Sequence, residues 1–317
     1  MPTLTLPKIL VIGAAGQIGV ELTLALRAKY GAENVIASDI SAEPELLKST
    51  GPWETIDVLS AMQLQRQVIR AGVTQIYLLA AMLSARGETD PRTAWDLNMD
   101  ALMNVLEISR ELHLQVFWPS SIAAASPSTI YGISKFSGEY LCQYYHAKFG
   151  LDVRSLRYPG LISYKTKPGG GTTDYAVDIF HAAIDKKVYE CFLKADTLLP
   201  MMYMNDAVRA TLMLMDTTEE KITNRRSYDI SGMSFTPKEL FEKIKAFCPS
   251  FEIVYEPDHR QKIAESWPET VDDVLARTDW NWKPSWNLCT MVNDMLVKLD
   301  EQQMQNRIQK LEMIGEL

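Results

Sequence analysis

The chain has 317 residues, of which 47% are apolar and 23% are charged, as in an ordinary globular protein. Its net charge of −8 argues against non-specific binding to nucleic acid, which needs clustered Lys and Arg. No apolar run approaches the ~18 residues of a membrane-spanning helix, and the scattered cysteines and histidines predict neither a disulfide framework nor a metal site.

A glycine-rich turn follows the first predicted strand, an apolar run over residues 8–12. After the turn, an apolar periodicity predicts a helix to about Tyr30. Strand, glycine turn and helix form the context that a dinucleotide-binding fingerprint requires. The glycines let the backbone approach a pyrophosphate at the helix N-terminus, although a glycine-rich turn without a ligand is the alternative. We therefore predict cofactor contacts from Gly13, Gly16, Gln17, Ile18 and Gly19.

A carboxylate, Asp39, directly follows the second predicted strand, which spans residues 34–38. Asp39 lies 20 residues beyond Gly19. At that distance a carboxylate binds the ribose 2′-hydroxyl of a dinucleotide and repels a 2′-phosphate. NAD is therefore favoured over NADP, since no Arg follows closely. After a third short strand, Asp57 and Val58 either bracket the adenine or belong to an ordinary loop.

Two further predicted strands end in small or hydroxyl side chains. The fourth strand, residues 74–81, ends in small residues that include Ala80, and Ser84 follows it. The fifth, residues 115–118, is followed by Ser120 and Ser121. Ligands bind at the carboxyl ends of strands in open α/β sheets, so these residues are candidate site residues. Ordinary surface serines are the alternative.

Two predicted helices carry polar residues that require an explanation. The first, residues 91–112, contains Asn98, which is a poor helix-interior residue and either makes a specific hydrogen bond or is exposed. The second runs from Tyr131 to Phe149 and places Lys135 on the same face as Tyr131. A nearby ammonium favours an ionised phenol, so Tyr131 is a candidate proton acceptor. An exposed helix turn with one aromatic residue is the alternative.

The order of strands and helices predicts the architecture. A sixth strand over residues 152–158, followed by Pro159, completes an alternation typical of an α/β, Rossmann-type doubly wound parallel sheet. The second half differs, beginning with a glycine-rich, substrate-facing loop over residues 165–173 and a helix over 174–186. We expect an NAD-binding domain over residues 1–162 and 205–233, a smaller, interleaved C-terminal substrate domain over 163–204 and 234–298, and a polar tail over 299–317.

Together, the glycine turn, Asp39, Ser121 and the Tyr131–Lys135 pair resemble the short-chain dehydrogenase/reductase superfamily. The length and the second half resemble its extended branch, which includes the UDP-sugar epimerases. Within that branch, the chain is similar to the short-chain-type L-threonine 3-dehydrogenases. The similar stretches, which span roughly residues 8–290, are GAAGQIG, LSARGE, YGISK, FGLDVRSLRYPGLIS, GGGTTDYAVDIF, LPMMYMNDA and IAESWPETVDD.

The resemblance implies NAD-dependent oxidation of the 3-hydroxyl of L-threonine to 2-amino-3-oxobutyrate. It implies that Tyr131 is the general base, that Lys135 lowers the pKa of this tyrosine and binds the nicotinamide ribose, and that Ser121 orients the reacting oxygen. A homodimer through the two long helices on one sheet edge is the family expectation. The further residues that we expect to contact the cofactor are Ala80, Asn98 and Pro159, and those expected to contact the substrate are Ser84, Thr173, Asp174 and Trp267.

One departure from the family lies between Ser121 and Tyr131. Only nine residues, IAAASPSTI, separate them, whereas members of the family usually carry a longer loop. Whether both hydroxyls reach one oxygen atom therefore depends on the path of this short loop. The strand end favours Ser121 over Ser120 as the residue that contacts the substrate.

Two other functions agree with the same fold. A UDP-sugar epimerase or dehydratase would keep the catalytic trio and bind a diphosphate through arginines of the second half, which show no evident pairing. A non-catalytic NAD-binding regulator tends to lose the Tyr or the Lys, and this chain has both. We expect a small-molecule substrate and neither a nucleic-acid nor a membrane partner. The expected compartment is the cytoplasm, or the mitochondrial matrix if a transit peptide has been removed.

Overall fold

The computed structural model describes residues 6–166, 169, 171–185 and 188–313. Strands and helices alternate in the first half, as β1 (Ile9–Ile12), α1 (Gln17–Tyr30), β2 (Val35–Asp39), β3 (Trp53–Thr55), α2 (Ala61–Ala71), β4 (Gln75–Leu78), α3 (Ser84–Gly87), α4 (Pro91–Trp95), α5 (Ala101–Leu112), β5 (Gln115–Phe117), β6 (Ser120–Ser121), α6 (Ile130–Phe149), β7 (Val153–Arg154) and β8 (Leu156–Tyr158). The second half contains β9 (Gly160–Ile162), α7 (Tyr175–Ile184), β10 (Val188–Cys191), β11 (Leu199–Tyr203), α8 (Met204–Asp216), β12 (Tyr228–Asp229), β13 (Met233–Phe235), α9 (Pro237–Lys245), β14 (Glu252–Tyr255), α10 (Arg260–Glu265), α11 (Val274–Trp280) and α12 (Leu288–Met313).

The main sheet has six parallel strands in the order β3-β2-β1-β4-β5-β7. Every residue of β1 is buried, as expected for a strand covered on both faces. In register, Ile9 lies between Val35 on β2 and Gln75 on β4. The strand order reverses between β1 and β4, which makes their carboxyl ends the topological switch point where ligands bind. The predicted Rossmann-type doubly wound parallel sheet is therefore confirmed.

Three smaller sheets involve the second half of the chain: β12-β8-β6, β13-β11-β9 and β10-β14. The single strand predicted over residues 152–158 is instead divided, with β7 in the main sheet and β8 in the first small sheet. In that small sheet Ser120 pairs with Arg157, and Ser121 pairs with Tyr158. The second half thus interleaves with the first.

The core follows the two faces of the main sheet. Leu10 and Ile12 pack in a cluster that includes residues of α2 and α5, whereas Ile9 and Val11 pack with residues of α1 and α8, in keeping with the two-residue period of a strand. A third cluster joins α7, α9 and α12 to the small sheets. Within the range predicted for the substrate domain, Trp280 and Trp282 pack in the cluster of α1 and α8.

Two predicted segments differ in detail. The helix predicted over residues 91–112 is interrupted by a π-helical turn at Asp96–Asp100. The C-terminal helix α12 runs through most of the predicted tail, to Met313. Of the predicted glycine-rich loop, residues 167, 168 and 170 lie outside the described residues, as do residue 186 of the next predicted helix and the last four residues of the tail. No helix within the described part of the chain is long and apolar enough to cross a membrane.

Candidate active site

The turn between β1 and α1 requires glycine at two positions. Gly13 has φ +87°, and a Cβ atom there would lie 2.5 Å from the backbone nitrogen of Ala80, just beyond β4. A Cβ atom on Gly19 would lie 2.2 Å from the carbonyl oxygen of Gly13. Both distances are shorter than any atomic contact allows, so the glycines hold α1 and the end of β4 tightly against the turn. The predicted contact residue Ala80 therefore lies beside the glycine turn.

The N-terminus of α1 is arranged to accept an anion. Gly16 is its N-cap residue, no side chain caps the helix, and the first turn contains no acidic residue. Backbone N–H groups of Gln17 and Ile18 are thus free of a competing carboxylate at the positive end of the helix dipole. This arrangement fits the pyrophosphate of a dinucleotide.

Asp39 lies at the carboxyl end of β2, next to the turn. Its Oδ2 accepts a hydrogen bond from the Ala15 backbone at 3.1 Å, and its Oδ1 accepts one from Ser41 at 2.9 Å. The carboxylate is therefore held beside the turn where a ribose would follow the pyrophosphate. Asp57 and Val58 follow β3 at the same edge of the sheet, with Asp57 exposed and Val58 buried.

Ser121 and Tyr131 are brought together despite the short loop. Thr129 caps α6 by accepting a hydrogen bond from Gly132, so the helix begins directly before Tyr131. A side-chain hydrogen bond with Ser121 lowers the pKa of Tyr131, but burial outweighs it and raises this pKa to about 12. The predicted lowering of the Tyr131 pKa is therefore wrong for the cofactor-free protein, because desolvation of the phenolate dominates.

Lys135 lies one helical turn behind Tyr131. Its Nζ donates to the Pro119 carbonyl at 2.6 Å and lies 4.5 Å from the centroid of the Trp118 ring. The centroid of the Tyr131 ring is 5.7 Å away. Burial lowers the pKa of Lys135 to about 7, so its charged and neutral forms are both populated near neutral pH.

Ser120 and Ser121 point to different partners. The Oγ of Ser120 donates to the Glu139 carboxylate at 2.6 Å, in a fully buried position. Since successive side chains of a strand point to opposite faces, the Ser121 side chain points away from Glu139 and interacts with Tyr131. The choice of Ser121 over Ser120 thus agrees with the packing.

Asn98 makes the specific hydrogen bonds that its helix-interior position suggested. Its side chain accepts from Met82 N at 2.8 Å and donates to Met82 O at 3.2 Å and to the Ser134 hydroxyl at 3.1 Å. It therefore ties the segment after β4 to α6. Pro159 is buried between β8 and β9.

Three of the predicted substrate residues lie on two segments that contact each other through Ser84 and Thr172. Ser84 is buried at the start of α3, and its Oγ lies 3.3 Å from Oγ1 of Thr172. The next residue, Thr173, packs so closely on Gly160 that a Cβ atom there would lie 2.6 Å from Cγ2 of Thr173. Asp174 accepts a hydrogen bond from Gly171 N at 2.6 Å, which fixes the end of the glycine-rich segment before α7.

Trp267 belongs to a segment that contacts the short loop. The hydroxyls of Ser128, in the loop, and Ser266 lie 2.9 Å apart. The ring of Trp267 packs against the third core cluster, and its Nε1 is buried without a hydrogen-bond partner among the described residues. Trp267 is therefore next to the loop, with a donor that is not satisfied within the described structure.

Sequence reasoning missed three polar residues of this region, Thr172, Ser134 and Glu139. Thr172 and Ser134 each neighbour a predicted residue in sequence but gave no separate signal. Glu139 did have a sequence signal, because it lies eight residues after Tyr131 and four after Lys135, on the same helix face.

This fold and this site define a dinucleotide-binding enzyme of Rossmann type. The chain belongs to the NAD dependent epimerase/dehydratase family, whose pattern matches residues 9–230. Membership implies NAD(P) as the cofactor. An uncharacterized epimerase/dehydratase of Staphylococcus saprophyticus is 44% identical over 308 residues, with 91% of this chain and 96% of that protein covered. Its counterpart in Staphylococcus haemolyticus is 42% identical and is likewise uncharacterized.

Several solved structures are similar over nearly their whole length. The holo form of the GalE-like L-threonine dehydrogenase from Cupriavidus necator is 53% identical, with a TM-score of 0.90 over 92% of this chain and 100% of that one. The L-threonine dehydrogenase from Clostridium difficile is 44% identical, with a TM-score of 0.90 over 94% and 98%. A UDP-glucose 4-epimerase from Thermotoga maritima, with a TM-score of 0.81 but 20% identity, shares the fold.

Proposed function

We propose that this protein oxidises the 3-hydroxyl of L-threonine with NAD to give 2-amino-3-oxobutyrate. The observation that carries the proposal is that Ser121, after β5, interacts with the Tyr131 side chain, and that the Lys135 Nζ lies 5.7 Å from the centroid of the Tyr131 ring. Similarity to L-threonine dehydrogenases at 53% and 44% identity supports this substrate over other alcohols.

The residues present fit NAD. The uncapped N-terminus of α1 would hold the pyrophosphate, and Asp39 would accept hydrogen bonds from the adenosine ribose and repel a 2′-phosphate. NAD supplies the acceptor for the hydride that leaves the substrate Cβ. The other proposed cofactor contacts are Gly13, Gly16, Gln17, Ile18, Gly19, Asp57, Val58, Ala80, Asn98, Tyr131, Lys135 and Pro159.

The proposed proton transfer uses Ser121, Tyr131 and Lys135. Ser121 holds the substrate hydroxyl by a hydrogen bond, and the Tyr131 phenolate removes the hydroxyl proton as the C–H bond is broken. The phenolate must first form against the effect of burial. A protonated Lys135 favours it, since an opposite charge stabilises the ionised form.

The proposed substrate site surrounds the Tyr131 hydroxyl. L-threonine is a zwitterion, so it needs hydrogen-bond donors for its carboxylate and an acceptor for its ammonium. The hydroxyls of Ser84 and Thr173 suit the first need, and the carboxylate of Asp174, which also accepts a hydrogen bond from Gly171, suits the second. Trp267 would cover the substrate, because Ser266 anchors its segment to the loop before Tyr131.

A UDP-sugar substrate is less compatible with the second half of the chain. Five of its arginines, at 209, 225, 226, 260 and 277, each form an ion pair with a carboxylate of this chain, at 2.5–3.6 Å. Recruiting Arg209, Arg260 or Arg277 for a diphosphate would take the paired arginine away from a carboxylate of this chain. These pairs favour a small zwitterion as substrate.

The deciding experiment is the appearance of NADH absorbance when purified protein is mixed with NAD and L-threonine. We expect turnover, and we expect Tyr131→Phe to reduce kcat by about 10²–10⁴-fold, the contribution of a general base. NAD affinity should change little in this variant. Conversion of a UDP-sugar without threonine oxidation would contradict the proposal, and so would near-wild-type turnover by Tyr131→Phe.

We also propose that two copies of the chain associate through α6. Four side chains of this helix form an exposed apolar stripe at spacings of three or four residues, with 36–48% of each side chain accessible. This α6 stripe consists of Ile133, Phe136, Tyr140 and Tyr144. A monomeric protein rarely exposes a contiguous apolar patch of this kind without using it.

A further inference from the structure

Glu139 is a fully buried carboxylate on the helix that carries Tyr131 and Lys135. Steps of four residues place the three side chains along one face of α6. The Oε1 of Glu139 accepts hydrogen bonds from Ser120 Oγ and Arg157 Nε, both at 2.6 Å, and its Oε2 accepts one from Arg157 Nη2 at 2.6 Å. A buried carboxylate with three short, charge-assisted or hydroxyl hydrogen bonds is held in one geometry.

These contacts join α6 to the strand end of the site. Ser120 lies on β6 and Arg157 on β8, and the two residues are paired in register. Arg226, before β12, adds a second cation at 3.6 Å from Glu139. Arg157 also lies 3.4 Å from the carboxylate of Asp229 on β12. Glu139 therefore clamps α6 onto the short sheet whose first strand carries Ser121.

The first consequence concerns Ser121. Its backbone is extended, with φ −149° and ψ 155°, so its side chain points away from that of Ser120. When Glu139 holds the Ser120 hydroxyl, the direction of the neighbouring Ser121 hydroxyl is set toward Tyr131. No atom of Glu139 has to touch the substrate for this effect.

The second consequence concerns the charge on Lys135. The titratable side chains near its ammonium include Cys142, Glu139 and Tyr131, and on the side of β5 it faces the Pro119 carbonyl and the Trp118 ring. Burial lowers the pKa of Lys135, and it raises the pKa of the Cys142 thiol, which stays neutral. Glu139 is thus the charged group that opposes the desolvation of Lys135.

We propose that Glu139 is a positioning residue of the active site, which aims Ser121 at Tyr131 through Ser120 and keeps Lys135 protonated. This inference rests on the proposed function for its catalytic consequence. It adds a residue that touches neither substrate nor cofactor but controls two residues that do.

The test compares Glu139→Gln with Asp229→Asn. Each variant removes one carboxylate that pairs with Arg157, but Glu139 alone also accepts from Ser120 and acts on Lys135. We expect Glu139→Gln to lower kcat about tenfold or more while KM for threonine changes less than about threefold. Loss of the charge should also move the alkaline rise of kcat to higher pH by about one unit, because a less protonated Lys135 no longer favours the phenolate. Asp229→Asn should have the same pH profile as the wild type.

Ser120→Ala separates the effect on the direction of Ser121 from the effect on the charge of Lys135. It also tests the first effect if Glu139→Gln does not fold. It removes the link to the strand end but keeps the charge, so kcat should fall while the pH profile stays in place. A wild-type kcat and pH profile in both Glu139→Gln and Ser120→Ala would overturn the proposal, even if the melting temperatures of the two variants fell. The role of Glu139 would then be purely structural.

A readout without substrate distinguishes failure of this inference from failure of the proposed function. In lysine-labelled protein followed by NMR, the Lys135 signal is assigned from its loss in Lys135→Met. Its pKa should be lower in Glu139→Gln than in the wild type, whether or not threonine is oxidised. An unchanged Lys135 pKa would overturn the role of Glu139 in holding the charge.

Discussion

Burial and hydrogen bonding act in opposite directions on the phenol of Tyr131. Burial raises its pKa to about 12, and the hydrogen bond with Ser121 lowers it. Since the folded pKa lies above the ordinary value near 10, the cofactor-free protein holds Tyr131 as a phenol up to strongly alkaline pH. A cationic nicotinamide ring beside it would favour the phenolate and lower the pKa.

This balance predicts a titration that depends on NAD. The absorbance difference between the wild type and Tyr131→Phe should contain no tyrosinate at about pH 9 without NAD, and tyrosinate should appear at lower pH when NAD is added. Ser121→Ala should raise the pKa further. Tyr144→Phe is the matched control, because this tyrosine is 48% exposed on the other side of α6. A Tyr131 signal near pH 8 in the cofactor-free wild type would contradict the dominant effect of burial.

Asp39 is expected to determine the choice between NAD and NADP. Asp39→Ala should weaken NAD binding by about 5–30-fold, which corresponds to roughly 1–2 kcal/mol for a lost hydrogen bond to a carboxylate. NADP binding should change less or improve, because the repulsion of its 2′-phosphate is removed. Dissociation constants measured by tryptophan fluorescence check both expectations, with Asp300→Ala, at an exposed position on α12, as control. A wild-type protein that already prefers NADP would refute the assignment.

At the scale of the element, the turn before α1 separates a glycine needed for the fold from one needed for the cofactor. A Cβ atom on Gly19 meets the Gly13 carbonyl at 2.2 Å, whereas one on Gly16 meets it at 3.3 Å. Gly19→Ala should therefore cost roughly 1–3 kcal/mol or more of folding free energy and lower the melting temperature. Gly16→Ala should cost less than about 1 kcal/mol but weaken NAD binding, because its methyl group lies at the helix N-terminus where the pyrophosphate would bind. Equal melting temperatures for the two variants would contradict this division.

Local patterns predicted the elements that are set by local chemistry. The apolar run of β1 and the glycine turn are each specified by neighbouring residues, and the structure contains both. Asn98, in the π-helical turn, forms hydrogen bonds with Met82 and Ser134, which lie 16 and 36 residues away. No periodicity in one segment reports such distant partners.

The same limit applies to the candidate site. Ser121, Tyr131 and Lys135 were predicted because strand ends and four-residue spacings are visible in the sequence. The direction of the Tyr131 pKa was not, because desolvation depends on what covers the side chain in the folded chain. The partner of Ser120 was also hidden, since its pairing with Glu139 requires α6 to pack against β6 and β8.

At the scale of the whole molecule, one helix carries two surfaces with different roles. The face of α6 with Tyr131, Lys135 and Glu139 is turned to the sheet, and the α6 stripe is turned outward. The guanidinium of Arg226 connects them, because it lies 3.9 Å from the centroid of the Tyr140 ring and 3.6 Å from Glu139. Association through the α6 stripe would therefore cover a surface directly behind the proposed catalytic residues.

This arrangement predicts the assembly. The wild type should be a dimer in size-exclusion chromatography with light scattering, and Tyr140→Glu combined with Tyr144→Glu should be a monomer, because unpaired carboxylates in an apolar interface cost several kcal/mol. Met62→Glu is the matched control, since Met62 is a 63% exposed apolar side chain on α2, outside the stripe. It should leave the dimer intact.

A monomeric wild type, or a variant that stays dimeric with both glutamates in place, would exclude the α6 stripe as the interface. If the monomer forms and its kcat falls as well, the contact of Arg226 with both surfaces offers the physical link, since the substitution removes the Tyr140 ring that packs on Arg226 beside Glu139.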